Sequence, residues 1–197
     1  CGKIGLDVVL LSQTEVAEVR EAAGGGSSAM PQKRNPVKAT LARSCAALAA
    51  AHASVLQASL VQEHQRAAGA WQAEWEALCG VLTFAGGATA AVAESLGGLD
   101  VDAARMRENL DATGGLVLSE RVAAALAERL GRGTAHELVA AAAGAPSFRD
   151  ALLAAGLEAD EVDALLDPTT YLGSTGALVD RALARYDAET QGRKGGS

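Results

Sequence analysis

The chain reads as an all-α protein, a segment of long-helix bundle followed by a small helical domain, and three features of its 197 residues carry that reading. Apolar residues make up 49% of the sequence while aromatics supply only 3%, and Ala fills whole stretches such as Ala46 to Ala53 and Ala140 to Ala143. A core with so few rings needs elements that approach closely, which Ala-rich helices do best. Apolar side chains recur at three- and four-residue intervals over long runs, the spacing of one helix face. Gly and Pro gather at a few places and divide the chain into long segments first and short ones afterwards.

The first helix is expected from about Lys3 to Ala22, with Ile4, Val8, Leu11 and Val19 near one stripe and Val9 and Val16 widening it. So wide a stripe implies burial among several helices. With helical spacing in place by Ile4 and no initiator Met, residue 1 reads as a cut into a longer chain or into a helix. A long loop follows, marked by Gly24, Gly25, Gly26, Ser27 and Ser28 and then by Pro31 and Pro36. Helix resumes from Val37 to about Gln62, with Leu41, Leu48, Val55 and Leu56 spaced for one face. A third helix runs from Ala67 to Leu96, crossed by Gly80, Gly86 and Gly87. These stripes exceed what one chain of this length can cover, so association with further copies is expected.

After Gly97 and Gly98 the units shorten to Asp102–Ala112, Leu116–Leu130, Thr134–Ala143, Ser147–Ala155, Asp160–Leu166 and Thr175–Tyr186. Thr134 with Glu137, and Ser147 with Asp150, have the spacing of helix N-caps. The expected organisation is a bundle segment over 1–99 that contains the loop 23–36, a small helical domain over 100–189, and a polar, Gly-rich, disordered tail over 190–197.

A formal charge of −7 argues against a nucleic-acid binder, which needs a concentrated basic face, while a small anionic ligand depends only on local charge. Cys1, Cys45 and Cys79 are odd in number and lack metal-ligand spacing, which favours neither a disulfide framework nor a zinc site and fits a reducing cytoplasm. No uninterrupted apolar run reaches the length of a membrane span, and the start lacks the sections of a signal peptide.

Chemistry concentrates in Gly24-Gly-Gly-Ser-Ser-Ala-Met-Pro-Gln-Lys-Arg-Asn-Pro36. Glycines grant mobility, Ser27 and Ser28 offer hydroxyls, and Lys33, Arg34 and Lys38 gather positive charge around Asn35 in a half stiffened by Pro31 and Pro36. By composition alone such a run is a solvated linker. Residues 26–36, however, match every fixed position of Gly-Ser-Ser-x-Met-Pro-x-Lys-x-Asn-Pro, and so resemble the signature of the fumarase/aspartase superfamily. The resemblance implies a long-helix bundle of that type, homotetramers with active sites built from three subunits, and elimination or addition next to a carboxylate. It also implies Ser27 as general acid/base, with Ser28, Met30, Lys33 and Asn35 lining or binding the substrate.

A second run, Gln62-Glu-His-Gln-Arg-Ala-Ala-Gly-Ala-Trp-Gln-Ala-Glu-Trp75, is similar to the corresponding stretch of bacterial 3-carboxy-cis,cis-muconate cycloisomerases, where adenylosuccinate lyases have an Arg-Asp-Leu-Ser-type run. Gln65 departs from the Glu common there. Asp111-Ala-Thr-Gly-Gly-Leu116 and Leu166-Asp-Pro-Thr-Thr-Tyr-Leu-Gly173 resemble the small C-terminal domain of the same enzymes. His64 reads either as a polar residue closing a helix junction or as a substrate contact. Arg66 suits a tricarboxylate substrate, since guanidinium pairs with carboxylate in bidentate fashion, or else pairs with Glu63 at the surface. Trp71 and Trp75 share one helical face and read as packing residues, His52 and His136 as structural or surface residues, and Cys45 and Cys79 as buried small hydrophobes.

The implied reaction is the interconversion of 3-carboxy-cis,cis-muconate and 4-carboxymuconolactone in protocatechuate catabolism. No metal or organic cofactor is implied, because the substrate's own carboxylate is the electron sink. The alternatives are adenylosuccinate lyase or another lyase of the superfamily, and a non-catalytic helical assembly module. The superfamily's N-terminal domain and about half of its bundle are not in this sequence, so the chain alone is expected to be inactive.

Overall fold

A computed structural model describes residues 1–22, 25–26 and 34–194, and packing divides the chain into two units, Cys1–Asn109 and Leu110–Ser197. In order, the elements up to the division are α1 (Gly2–Leu11), β1 (Val19–Glu21), β2 (Gly25–Gly26), β3 (Arg34–Asn35), α2 (Val37–Ala58), α3 (Ala70–Gly97), β4 (Leu99–Val101) and α4 (Ala103–Asp111).

Both α1 and α3 pack on α2 through small residues. Gly2 lies against Ala46, and a Cβ added at Gly5 would stand 2.6 Å from the Ala39 carbonyl oxygen, so α1 runs antiparallel to α2 at close approach. On the other side Gly87 meets Cys45 and Gly80 meets the His52 ring, so α3 is antiparallel to α2 as well. His52 also stacks on Phe84 with ring centroids 5.5 Å apart. The buried residues of α2 are Ala39, Ala42 and Cys45; Ala42 clusters with Ala91 and Val92 of α3, and Ala39 with Val8 of α1 and Val19 of β1. Interaxial distance follows side-chain size, and here it is set by methyl groups and bare Cα atoms.

The larger side chains take the opposite face. Leu41, Leu48 and Val55, spaced for one helix face, are 46%, 44% and 40% exposed in this chain, and Trp75, Leu78 and Leu82 of α3 are exposed too. Trp71 meets Trp75 edge-on at 5.1 Å. Cys45 is buried as expected, whereas Cys79 is exposed. The apolar content of α2 and α3 has a second consequence. Both are long and apolar enough on average to cross a membrane, with mean hydropathy of 1.2 and 1.4, although charges such as Lys38, Arg43 and Glu94 interrupt their apolar runs.

The first helix does not reach Ala22. It stops at Leu11, where Ser12 donates its N–H to the Val8 carbonyl and its hydroxyl to the Val9 carbonyl. Ala17 then turns the chain through a left-handed conformation at φ 55°. β1 pairs antiparallel with β4, Val19 opposite Val101 and Glu21 opposite Leu99. From α4, Arg105 donates to the carbonyls of Glu15 and Val16, and Asn109 donates to Val16 and to the Glu18 carboxylate. These long-range bonds displace the helix that local spacing favours, and they keep β4 and α4 with the first unit. At its ends α2 is shorter than expected, closing at Ala58, and α3 opens at Ala70, where Gln72 accepts the Gly69 N–H.

The second unit holds a 3₁₀ turn (Leu116–Leu118), α5 (Ser119–Leu130), α6 (Arg132–Ala143), α7 (Phe148–Ala154), α8 (Ala159–Leu165), a 3₁₀ turn (Pro168–Thr170) and α9 (Thr175–Lys194). Val122, Leu126, Val139, Phe148, Leu152 and Val162 form its core. Ser147 caps α7, accepting the Asp150 N–H at 3.2 Å. Thr134 caps nothing, because α6 starts two residues earlier behind Gly131 (φ 79°), and Thr134 lies within its first turn. The two motif-like runs of this unit meet: Gly115, at φ 89°, lies against Leu166, and Arg121 donates to the Asp167 carbonyl while its guanidinium lies 5.2 Å from the Tyr171 ring centroid. α9 extends past Tyr186 to Lys194, into the stretch expected to be a disordered tail.

Two outcomes are expected. Gly5→Leu should lower stability by roughly 2 kcal/mol through overpacking against α2, read as a reduced denaturation midpoint of this chain; an unchanged midpoint would show that α1 can lift off. The second concerns Asp163, whose carboxylate accepts from Arg149 at 2.6 and 3.0 Å, linking α7 and α8. That hydrogen bonding, together with the adjacent charge, holds the Asp163 carboxyl below its ordinary range. A lowered folded-state pKa gives stability that is present above the ordinary carboxylate pKa and lost as pH falls through the folded value. The difference in melting temperature between the wild type and Asp163→Asn should therefore be present at neutral pH and vanish in strong acid, while a pH-independent difference would exclude the pair as its source.

Candidate active site

The signature segment springs from a short antiparallel ladder in which Gly25 pairs with Asn35 and Gly26 with Arg34, so both of its ends are brought together at the head of α2. At Gly25 a Cβ would stand 2.6 Å from Cγ2 of Val37, so a larger residue there has to displace that side chain. Asn35 and Pro36 line one end of a groove of about 560 Å³, whose remaining wall is Val9 of α1 and Val37, Thr40, Leu41 and Ser44 of α2. Ser27, Ser28, Met30 and Lys33 lie outside the described residues.

The head of α2 has an unusual cap. Pro36 at the N-cap offers no side-chain acceptor, and no acidic residue occupies the first turn. A helix start leaves N–H groups without partners, and a buried start must find acceptors elsewhere. Glu21 supplies them from the end of β1, 5% exposed: its carboxylate accepts the Lys38 N–H at 3.0 Å and the Ala39 N–H at 2.8 Å, and also the Ser95 hydroxyl of α3 at 2.6 Å. The negative charge sits at the positive end of the α2 dipole. Lys38 itself pairs with Glu94. Sequence reasoning passed over Glu21; the available signal was a helix that starts behind Pro with no acceptor of its own.

The other expected site residues occupy the connection between α2 and α3. His64 and Arg66 are both exposed and both left-handed, at φ 61° and 53°. A side chain in that region costs about 1–2 kcal/mol, and such strain clusters where a side chain must be displayed. The connection is anchored beside them by Gln62, which donates to the Ser59 carbonyl and to Glu74, both at 2.9 Å. Arg66 forms no ion pair with Glu63 among the described residues. Since α2 has 22 residues, its two ends lie roughly 33 Å apart at 1.5 Å per residue. Within one chain, Asn35 and the pair His64 and Arg66 are therefore not brought together.

A bundle packed through small residues holds the two ends of the signature segment at the head of a long helix and exposes His64 and Arg66 beyond its other end. A family model described as Lyase matches residues 2–51, and one described as Adenylosuccinate lyase C-terminus matches residues 115–182. The chain is 47% identical over 196 residues to 3-carboxy-cis,cis-muconate cycloisomerase of Bradyrhizobium diazoefficiens, covering 93% of this chain and 44% of that protein. It is 48% identical over 199 residues to nitrosuccinate lyase of Streptomyces davaonensis, covering 94% and 42%. The solved 3-carboxy-cis,cis-muconate lactonizing enzyme of Pseudomonas putida superposes with a TM-score of 0.82 at 42% identity, covering 96% of this chain and 45% of that one. The chain thus spans under half the length of these relatives, in their C-terminal portion, and it belongs to the fumarase/aspartase superfamily.

The strained connection gives a test of its own. His64→Gly should leave stability unchanged or raise it by up to about 1 kcal/mol, because Gly adopts the left-handed region freely while adding some entropy to the unfolded chain. A loss above that size in chemical denaturation would show that the His64 side chain supports the fold.

Proposed function

We propose that the protein carrying this chain is a 3-carboxy-cis,cis-muconate cycloisomerase. The observation that carries the reading is the complete eleven-position signature at 26–36, in a chain whose relatives of that name reach 47% identity over nearly its whole length. A carboxylate oxygen of the substrate adds to the substrate's own double bond. The electron pair of that bond passes into the neighbouring carboxylate, and the resulting aci-carboxylate takes a proton on carbon from Ser27. Lys33 and Asn35 stabilise the charge as it develops, with Ser28 and Met30 against the substrate. A serine hydroxyl reaches the reactivity this needs when water is excluded and cations and amides surround it. His64 and Arg66 bind substrate carboxylates.

Their separation from Asn35 along α2 supports a site assembled from several chains, and the exposed stripe of Leu41, Leu48 and Val55 supports a homotetramer as the assembly. The setting is a cytoplasmic enzyme acting in protocatechuate catabolism without metal or organic cofactor. A second reading, nitrosuccinate lyase, rests on the 48% identity to an enzyme of that name.

The experiment follows the ultraviolet absorbance of 3-carboxy-cis,cis-muconate with the intact protein, and formation of fumarate from nitrosuccinate in parallel. Rapid loss of muconate absorbance is expected, lowered roughly 10²–10⁴-fold by Ser27→Ala with assembly retained. Mixing Ser27→Ala with Arg66→Ala protein after dissociation should return part of the activity, since some sites then receive an intact residue from each chain. This chain alone should give no turnover. Turnover of nitrosuccinate in place of muconate would move the assignment to the lyase, and an inert protein would make it an assembly module.

A further inference from the structure

Glu21 is a buried acid with no part in the proposed chemistry, yet it joins β1, α2 and α3 beside the signature segment. It ends β1, its carboxylate holds the first turn of α2, and it takes a hydrogen bond from Ser95, itself 2% exposed on α3. The segment leaves β1 just after this residue and returns at β3, which ends three residues before the first amide that Glu21 binds. β1 is fixed in turn by β4 and by the Ala22 N–H donating to the Gly98 carbonyl at 2.8 Å. Because Pro36 cannot cap the helix that follows, this carboxylate ties the returning limb of the segment to β1 and α3, beside the Lys38–Glu94 ion pair that also joins the head of α2 to α3.

We propose that Glu21 is a positioning residue for catalysis: it sets where Asn35 and Pro36 stand relative to the rest of the bundle. This rests on the proposed reading of that segment as the catalytic loop. The oxygen that serves Ala39 also serves Ser95, and the other serves Lys38. Glu21→Gln can keep the first pair of contacts but turns an NH₂ toward the Lys38 N–H, so it loosens the returning limb by one bond without emptying the site. Groups on that limb matter most when charge develops, whereas substrate carboxylates are also held by residues at the far end of α2. The effect should thus fall on turnover more than on binding.

The test combines kinetics on the intact protein with hydrogen exchange read by mass spectrometry over peptides covering 25–26 and 34–39. Glu21→Gln is expected to lower kcat, normalised to folded and assembled enzyme by circular dichroism and size-exclusion chromatography, at least about tenfold while KM stays within about threefold; the normalisation separates this from simple loss of folded protein, which lowers apparent kcat at unchanged KM. Exchange over 34–39 should quicken at least about tenfold, with α3 remaining protected. Ser95→Ala, which leaves both α2 amides bonded to Glu21, should show the same split at smaller size and stands in should the Gln variant fail to fold. Unchanged kcat with faster exchange over 34–39 would overturn the proposal, as would unchanged exchange in both variants. An inert wild type would refute the proposed reaction instead, and exchange over 25–26 and 34–39 would then decide alone whether Glu21 places the segment.

Discussion

A carboxylate removed from water at the head of a helix governs how this bundle is joined. Glu21 is costly to bury, and it is tolerated because three donors surround it and the α2 dipole points its positive end at the charge. Those donors belong to two different helices, so the single side chain closes a triangle among β1, α2 and α3. The network made by Arg105 and Asn109 acts one step earlier in the chain, fixing residues 15–18 and so the approach of β1. Between them these polar contacts convert a stretch with helical spacing into an ordered lead-in to the signature segment.

Close apolar contact does the complementary task. Gly5 against Ala39, Gly87 against Cys45 and Gly80 against His52 bring three helices together with little side-chain volume between them. The inward face of α2 is consumed by this approach, and its Leu and Val residues are left on the outward face. One helix thus carries two kinds of surface, a thin one that builds the chain's own bundle and a thick one that presents leucines outward. The proposed tetramer uses the second.

Much of the architecture was legible because it is local. The long helices α2 and α3, the short helices of the second unit and the Ser147 cap follow from periodicity and from cap chemistry that acts within three or four residues. The failures share one cause. Val16 and Val19 continue the spacing of α1, and nothing nearby announces that their segment pairs with residues 99–101, some eighty positions away. Thr134 had the spacing of a cap, but Gly131 offered an earlier start. The stripe of Leu41 and Leu48 was rightly seen as apolar, yet periodicity does not say which of two faces a chain keeps for itself. At the site, the signature was legible as a pattern and Asn35 as its last polar member. Glu21 was not, since a charged residue in a helical-looking stretch reads as solvated until its partners on α2 and α3 are known. The left-handed backbone at His64 and Arg66 was equally invisible, because both residue types are ordinary in loops.

The length of α2 has a consequence for how such a protein is switched on. A rod of 22 residues holds the signature limb at one end and the basic connection at the other, so if both serve one substrate molecule, the reacting centre exists only where separate chains overlap. Its abundance is then set by mass action: dilution empties the centres, and synthesis fills them steeply as chain concentration rises.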